Sequence, residues 1–182
     1  MKSKVSYDVR MSAPATVRLT GVLDPREGWK AERCTIAKSL DVLSARSSML
    51  ILREAFYGTT RFDDFAERVG ISEPVTAARL RELVDEGLLE REDYREPGQR
   101  TRQQYRLTEK GAELLPVLVA LMQWGDRWLD DRGGPIELLH RDCGEAVGVE
   151  VRCAAGHRVE TGEIDLARRR RQSIDNRRRA EP

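Results

Sequence analysis

Gly70 is followed by Ser72 and then by Pro74, and this spacing constrains the fold more than any other feature of the chain. Upstream of it, Phe62, Phe65, Ala66 and Val69 recur on one helical face, and the glycine just past them can take the left-handed conformation that ends a helix. Ser72 then stands in an N-cap position with proline in the first turn, and Thr76, Leu80, Leu83 and Val84 carry a second apolar stripe as far as Gly87. The pattern predicts two helices joined by a tight turn. Beyond Gly87 it shifts to two strand-like runs, residues 88–94 and 102–107, around a polar Pro97-Gly98 turn. Helix, turn, helix, hairpin is the order of a winged helix-turn-helix, so the expected fold class is mainly α with a small β-hairpin wing.

A helix that enters the DNA major groove needs its apolar face held by the domain. It also needs small or polar side chains near its N-terminus, where base edges come within reach. Ser72, Glu73, Pro74, Val75, Ala78 and Arg79 fall on that outward, N-terminal face. The hairpin carries Arg95, Arg100, Arg102 and Arg106 against one acid, Glu96, a balance suited to phosphate or minor-groove contact. The alternative is a small helical domain whose wing arginines are merely solvated.

A series of short runs occurs in a fixed order: Cys34, Leu40-Asp41-Val42-Leu43, Met49-Leu50-Ile51-Leu52-Arg53-Glu54, Arg61-Phe62 and Ile71-Ser72. Arg79-Leu80-Arg81-Glu82-Leu83, Gly87-Leu88 and Tyr105-Arg106-Leu107-Thr108-Glu109-Lys110-Gly111 complete it. Together, over residues 33–129, they resemble the HxlR-type winged helix-turn-helix transcription regulators. The resemblance implies a dimeric bacterial regulator, usually a repressor. In some members the cysteine at the start of the first helix senses electrophiles or oxidants. The turn before the family's second helix usually carries two glycines, a lysine and a tryptophan, whereas here it reads Ser44-Ala45-Arg46-Ser47. Arg46 keeps the positive charge and the helix start keeps its unpaired amides, so Arg46 and Ser47 are candidates for phosphate contact. The missing aromatic alters the local packing.

From Glu32 the apolar pattern tightens: Ile36, Leu40 and Leu43 line a first helix with Cys34 in its opening turn. A helix N-terminus favours the thiolate, which makes Cys34 a redox-sensing candidate; the competing reading is an inert packed cysteine. Met49, Leu50, Ile51, Leu52 and Phe56 crowd the next helix, predicting burial, with Arg53 and Glu54 read as structural ion-pair residues. Past the wing, Thr108 is an N-cap candidate for a long helix reaching about Asp131, kinked or restarted at Pro116. Leu114, Leu115, Val117, Leu118, Val119, Leu121, Met122, Trp124, Trp128 and Leu129 leave it almost no polar face. One small domain cannot cover such a helix on both sides, which independently predicts a homodimer reading a pseudo-palindromic duplex.

Arg132-Gly133-Gly134-Pro135 marks a boundary. After it, His140, Cys143, Cys153 and His157 form an H-x2-C and C-x3-H pattern that two turns can present to a tetrahedral zinc ion. A metal-free β module and a Cys143 to Cys153 redox pair are the alternatives. The expected plan is an N-terminal arm at 1–32 and a DNA-binding and dimerisation domain at 33–131. A small β-rich, possible zinc-ribbon-like module at 135–166 and an arginine-rich tail at 167–182 follow. The tail holds seven arginines against Asp175 and Glu181, as a solvated segment or an aid to nonspecific DNA affinity.

The bulk net charge of +1 says nothing about the partner; local patches must. Three separated cysteines do not make a secreted disulfide framework, and the apolar run at 114–122 is far below the roughly 20 residues that span a bilayer. With no signal-peptide pattern at the start, the expected location is the cytoplasm. Glycine-rich phosphate loops, paired catalytic carboxylates and nucleophile triads are missing from the pattern, so an enzyme is not expected and no cofactor is required. The competing function is a winged-helix module that binds protein or metal without specific DNA binding.

Overall fold

The structure, a computed structural model, describes residues 16–26, 34–43, 45–95, 98 and 101–168. Ser44, Glu96, Pro97, Arg100, most of the N-terminal arm and the arginine tail beyond Arg168 lie outside the described residues. In chain order the elements are β1 (Arg18–Leu19), α1 (Thr35–Leu43), α2 (Arg46–Phe56), α3 (Phe62–Val69) and α4 (Glu73–Asp85). The hairpin strands β2 (Leu89–Tyr94) and β3 (Arg102–Leu107), then α5 (Glu109–Ala112), α6 (Leu115–Trp128) and β4 (Asp165–Leu166) complete the order. Contacts divide the chain into two units, Ala31–Val149 and a discontinuous one made of Met1–Lys30 with Glu150–Pro182.

The larger unit is a winged helix built on one buried cluster. Ile51 and Leu52 of α2, Phe65 of α3 and Leu80 and Leu83 of α4 meet Leu88, Leu89 and Tyr105 at the root of the hairpin. Burying each such side chain contributes about 1.5–3 kcal/mol, so this cluster fixes the angle between α3 and α4. Phe65 meets the Tyr105 ring edge to face, with centroids 6.3 Å apart. Gly70 ends α3 at φ 70° and ψ 42°, as its place after Val69 predicts. The hairpin is antiparallel, in register from Leu89 opposite Leu107 to Tyr94 opposite Arg102. A bridge from Arg61 to Gln104, with the Tyr105 amide donating to the Thr60 carbonyl at 2.8 Å, ties it to the start of α3.

The helix expected from Thr108 to about Asp131 is two helices. Thr108 caps α5, its hydroxyl accepting from the Gly111 amide at 3.0 Å and donating to the Gly87 carbonyl at 2.7 Å. The chain restarts at Leu115 with Pro116 in the first turn of α6, where its fixed φ and missing N–H cost nothing, and α6 ends at Trp128. Of α6 only Val119 is buried, and Leu118 packs against the core cluster. Among the described residues no helix is long and apolar enough to cross a membrane.

The boundary expected at Gly133 and Gly134 is not where the units divide. Residues up to Val149 stay with α6: the Gln123 side-chain Oε1 accepts from the Val149 amide at 2.8 Å, and Asp126 lies where a Cβ on Gly134 would sit. In the other unit β1 and β4 pair in parallel, Arg18 opposite Asp165, so part of the arm is a strand. The Arg18 guanidinium grips both Asp165 oxygens, at 2.7 and 2.8 Å. The hydrogen bond from Arg18 holds the Asp165 carboxyl below its ordinary range, and Asp165 raises Arg18 in turn. The stretch expected as a β-rich module at 135–166 is largely irregular, with short turns at 141–143 and 154–155. Apart from β4, its pairing is limited among the described residues to single bridges, Leu139 to Ala146 and Arg152 to Arg158.

Candidate nucleic-acid interface

The core decides which side of α4 looks outward. Thr76, Leu80 and Leu83 are buried, and the Thr76 hydroxyl donates to the Ser72 carbonyl at 3.0 Å, closing the first turn. With that side held, Ser72, Glu73, Pro74, Val75 and Ala78 are all exposed. Ser72 is the N-cap by position, at φ −66° and ψ 152°, but its hydroxyl makes no capping bond and is left to outside contact. The short side chains of Ser72 and Ala78 and the apolar Val75 make a shallow surface, suited to hydroxyl contacts on base edges and apolar contact with a thymine methyl. Glu73 complements the N-terminal dipole, and its carboxylate, an acceptor that phosphate repels, is chemically suited to a base donor such as cytosine N4.

Arg79 differs from its expected place. It is half-buried, its guanidinium donates to Glu82 one turn along α4, and its buried Nε has no partner in the described structure. The pair is partly exposed, so its net energy is small and a phosphate can compete for the guanidinium.

Two further basic sites flank the helix. Arg46 is exposed at the first position of α2 and Ser47 is half-buried beside it. The amides of Ser48 and Met49 reach the Ala45 carbonyl, at 2.9 and 3.3 Å, so those of Arg46 and Ser47 are the unpaired first donors of the helix. On the wing, Arg95 directly follows β2 and Arg102 opens β3, both exposed. Arg106 does not belong with them: it sits further down the hairpin and donates to Glu92, which also accepts from Gln104 at 3.0 Å. Glu90 and Asp93 also lie on β2, beside Arg91, whose guanidinium stands 6.0 Å from the centre of the Tyr105 ring, so the body of the hairpin carries acids and arginines together. Arg61 is a residue the spacing did not single out. Its guanidinium lies 5.2 Å from the centre of the Tyr94 ring, at the seam between α3 and wing, a position that only the pairing of distant segments reveals.

Cys34 is half-buried. Its carbonyl accepts from the Lys38 amide at 3.1 Å, so it stands just before α1 rather than within the opening turn. The four candidate metal ligands occur as two pairs on separate turns. His140 Nδ1 lies 3.1 Å from Cys143 Sγ in the larger unit, on a turn closed by Gly144. In the other unit the Cys153 amide donates to the His157 carbonyl at 3.0 Å across a turn closed by Gly156. Among the described residues no group of three or more histidines, cysteines or acids gathers as a metal ion requires.

The comparisons agree with this geometry. Residues 42–132 match the family model described as HxlR-like helix-turn-helix. An HTH-type transcriptional regulator of Mycobacterium tuberculosis, Rv3095, is 42% identical over 120 residues, covering 65% of this chain and 75% of its own. Another from Synechocystis is 35% identical over 107 residues, 58% of this chain and 78% of its own. Among solved structures, the candidate transcription factor PA1607 superposes with a TM-score of 0.69 at 36% identity, over 76% of this chain and 96% of that one. A second, PA1374 from Pseudomonas aeruginosa, gives 0.55 at 33% identity, over 81% and 100%.

Proposed function

Since the chain belongs to the HxlR-like helix-turn-helix family of transcriptional regulators, we propose that it is a homodimeric, sequence-specific DNA-binding repressor. The observation that carries this reading is the N-terminal face of α4, anchored through Thr76 and left small, polar and outward at Ser72, Val75 and Ala78. Arg46 and Ser47 at the start of α2 and Arg95 and Arg102 on the wing take the phosphates, fixing register while α4 reads bases; Arg100, outside the described residues, is a further candidate by sequence. Arg79 leaves Glu82 to join them. Binding a promoter duplex in this way excludes polymerase, which makes repression the default outcome.

The dimer is supported by α6 together with α1. Leu121 is 54% exposed, Trp124 56% and Trp128 59%, and Ile36 on α1 is 70% exposed. Large apolar side chains left this exposed on the two helices mark surface that a second copy covers. A two-fold pair places two α4 helices about 34 Å apart and reads an inverted repeat. Footprinting on bound genomic fragments tests the whole reading: two protected half-sites about one helical turn apart support it, and a single unpaired footprint or none defeats it.

One finer property belongs to the same proposal. Cys34, half-buried at the head of α1, is the site at which an oxidant or electrophile changes DNA affinity; diamide is expected to release DNA from the native protein and not from Cys34→Ser.

A further inference from the structure

Beneath α1 lies a groove of 430 Å³, within the range of small-molecule sites. Its floor is apolar, made by Val42 and Leu43 of α1, Leu88 at the corner between α4 and β2, and Leu114 at the head of α6. Lys38, Lys110 and Glu113 stand on the rim, two cations against one anion. Lys110 is committed, its ammonium donating to the Glu86 carbonyl at the end of α4. Lys38 is exposed, and no carboxylate pairs with it among the described residues. We infer that this groove binds a small aromatic monocarboxylate, its ring on the Leu43, Leu88 and Leu114 floor and its acid group on the Lys38 ammonium. Glu113 sets the limit of one negative charge, because a second acid on the ring would meet it.

A second copy of the chain is the competing occupant, and the geometry of α1 separates the two. At 3.6 residues per turn, Lys38, Ser39 and Val42 centre roughly a third of a turn away from Ile36 and Leu40. The large exposed apolar residues of α1, Ile36 and Leu40, are therefore not the ones that line the groove. A copy docked on them leaves the groove open.

The floor also touches the joint on which DNA binding depends. The Leu88 amide donates to the Leu83 carbonyl at 2.8 Å, at the end of α4, and the Leu88 carbonyl accepts from the Thr108 amide at 3.1 Å. Gly111 packs directly on that carbonyl. A ligand lying on Leu88 thus bears on the recognition helix, the wing and α5 at once, and is the effector of the proposed regulator. This consequence rests on the DNA-binding reading; the binding site itself does not.

Calorimetry on the full chain, without DNA, tests the site with 1-naphthoate and its neutral isostere 1-naphthamide as probes. The expected result is saturable naphthoate binding, with the amide weaker by roughly tenfold or more, as loss of a charge-assisted hydrogen bond implies. Lys38→Ala should abolish that difference, and Ser39→Phe, an exposed rim change that leaves the core intact, should block both probes. Absent binding, equal affinity for the two probes, or naphthoate binding untouched by Lys38→Ala overturns the inference. Binding that appears only when the protein is diluted to monomers assigns the groove to the second copy and overturns it equally. Failure of the same preparation to bind any duplex would count against the regulator reading and leave this result standing.

Discussion

A methyl group at position 111 has nowhere to go. A Cβ built on Gly111 falls 2.1 Å from the Leu88 carbonyl oxygen, a backbone atom held by Thr108 and unable to yield cheaply. Gly111→Ala is therefore expected to destabilise the fold by about 1–3 kcal/mol in urea unfolding, and an unchanged midpoint would show that α5 shifts freely against the wing. Glu54 makes the same point in polar form. It is 7% exposed, and its carboxylate accepts from Arg53 at 2.6 Å and from the Thr59 hydroxyl at 3.4 Å, while Arg68 donates to Thr59 at 2.7 Å. Glu54→Ala takes the acceptor from the buried Thr59 hydroxyl and should cost about 1–3 kcal/mol by the same measurement. The sequence makes Arg53 and Glu54 legible as neighbours that form an ion pair. It does not reveal Arg68, which reaches Thr59 only once α3 has folded back against α2.

Elements held by periodic apolar faces and strong end signals are legible from the chain alone. Gly70, Ser72 and Pro74 give the turn before α4, and Pro116 gives the restart of α6. Elements held by distant pairs are not: nothing in the spacing links Arg18 to Asp165, and the stretch after Gly134 carries turns whose bonds are local, without a strand period to read. The β1–β4 contact has a pH dependence with a definite sign. Asp165 is depressed in the folded state, so the contact's contribution is present above the ordinary carboxylate value of 3.8 and is lost as pH falls through the lower folded value. Amide shifts of Arg18 and Leu19 should follow that acid titration by NMR, and Asp165→Asn should remove it. Thr108 governs another joint: Thr108→Ala loses both the α5 cap and the tie to Gly87, about 0.5–2 kcal/mol, and Thr108→Ser should restore most of it.

At the scale of the whole molecule, the apolar character of α6 is plain in the sequence, and the structure leaves most of it uncovered. Leu121 and Trp124 lie on that exposed surface. Charging it through Trp124→Glu is expected to convert a dimer to a monomer in sedimentation equilibrium with helical content retained; a variant that sediments as the native chain does would remove α6 from the interface. Wing charge is legible only in part, since the pairing of Arg106 with Glu92 depends on strand register. The central claim is that α4 reads bases while α2 and the wing hold phosphates. Equilibrium binding to a genomic fragment the protein selects, titrated with salt, tests it most directly. Affinity should fall linearly on logarithmic axes with a slope of about −0.9 per phosphate contacted, Arg102→Ala should make that slope shallower, and Ala78→Glu should erase the preference for the selected fragment over random duplex. A preference that survives Ala78→Glu, or an affinity indifferent to salt, contradicts the account.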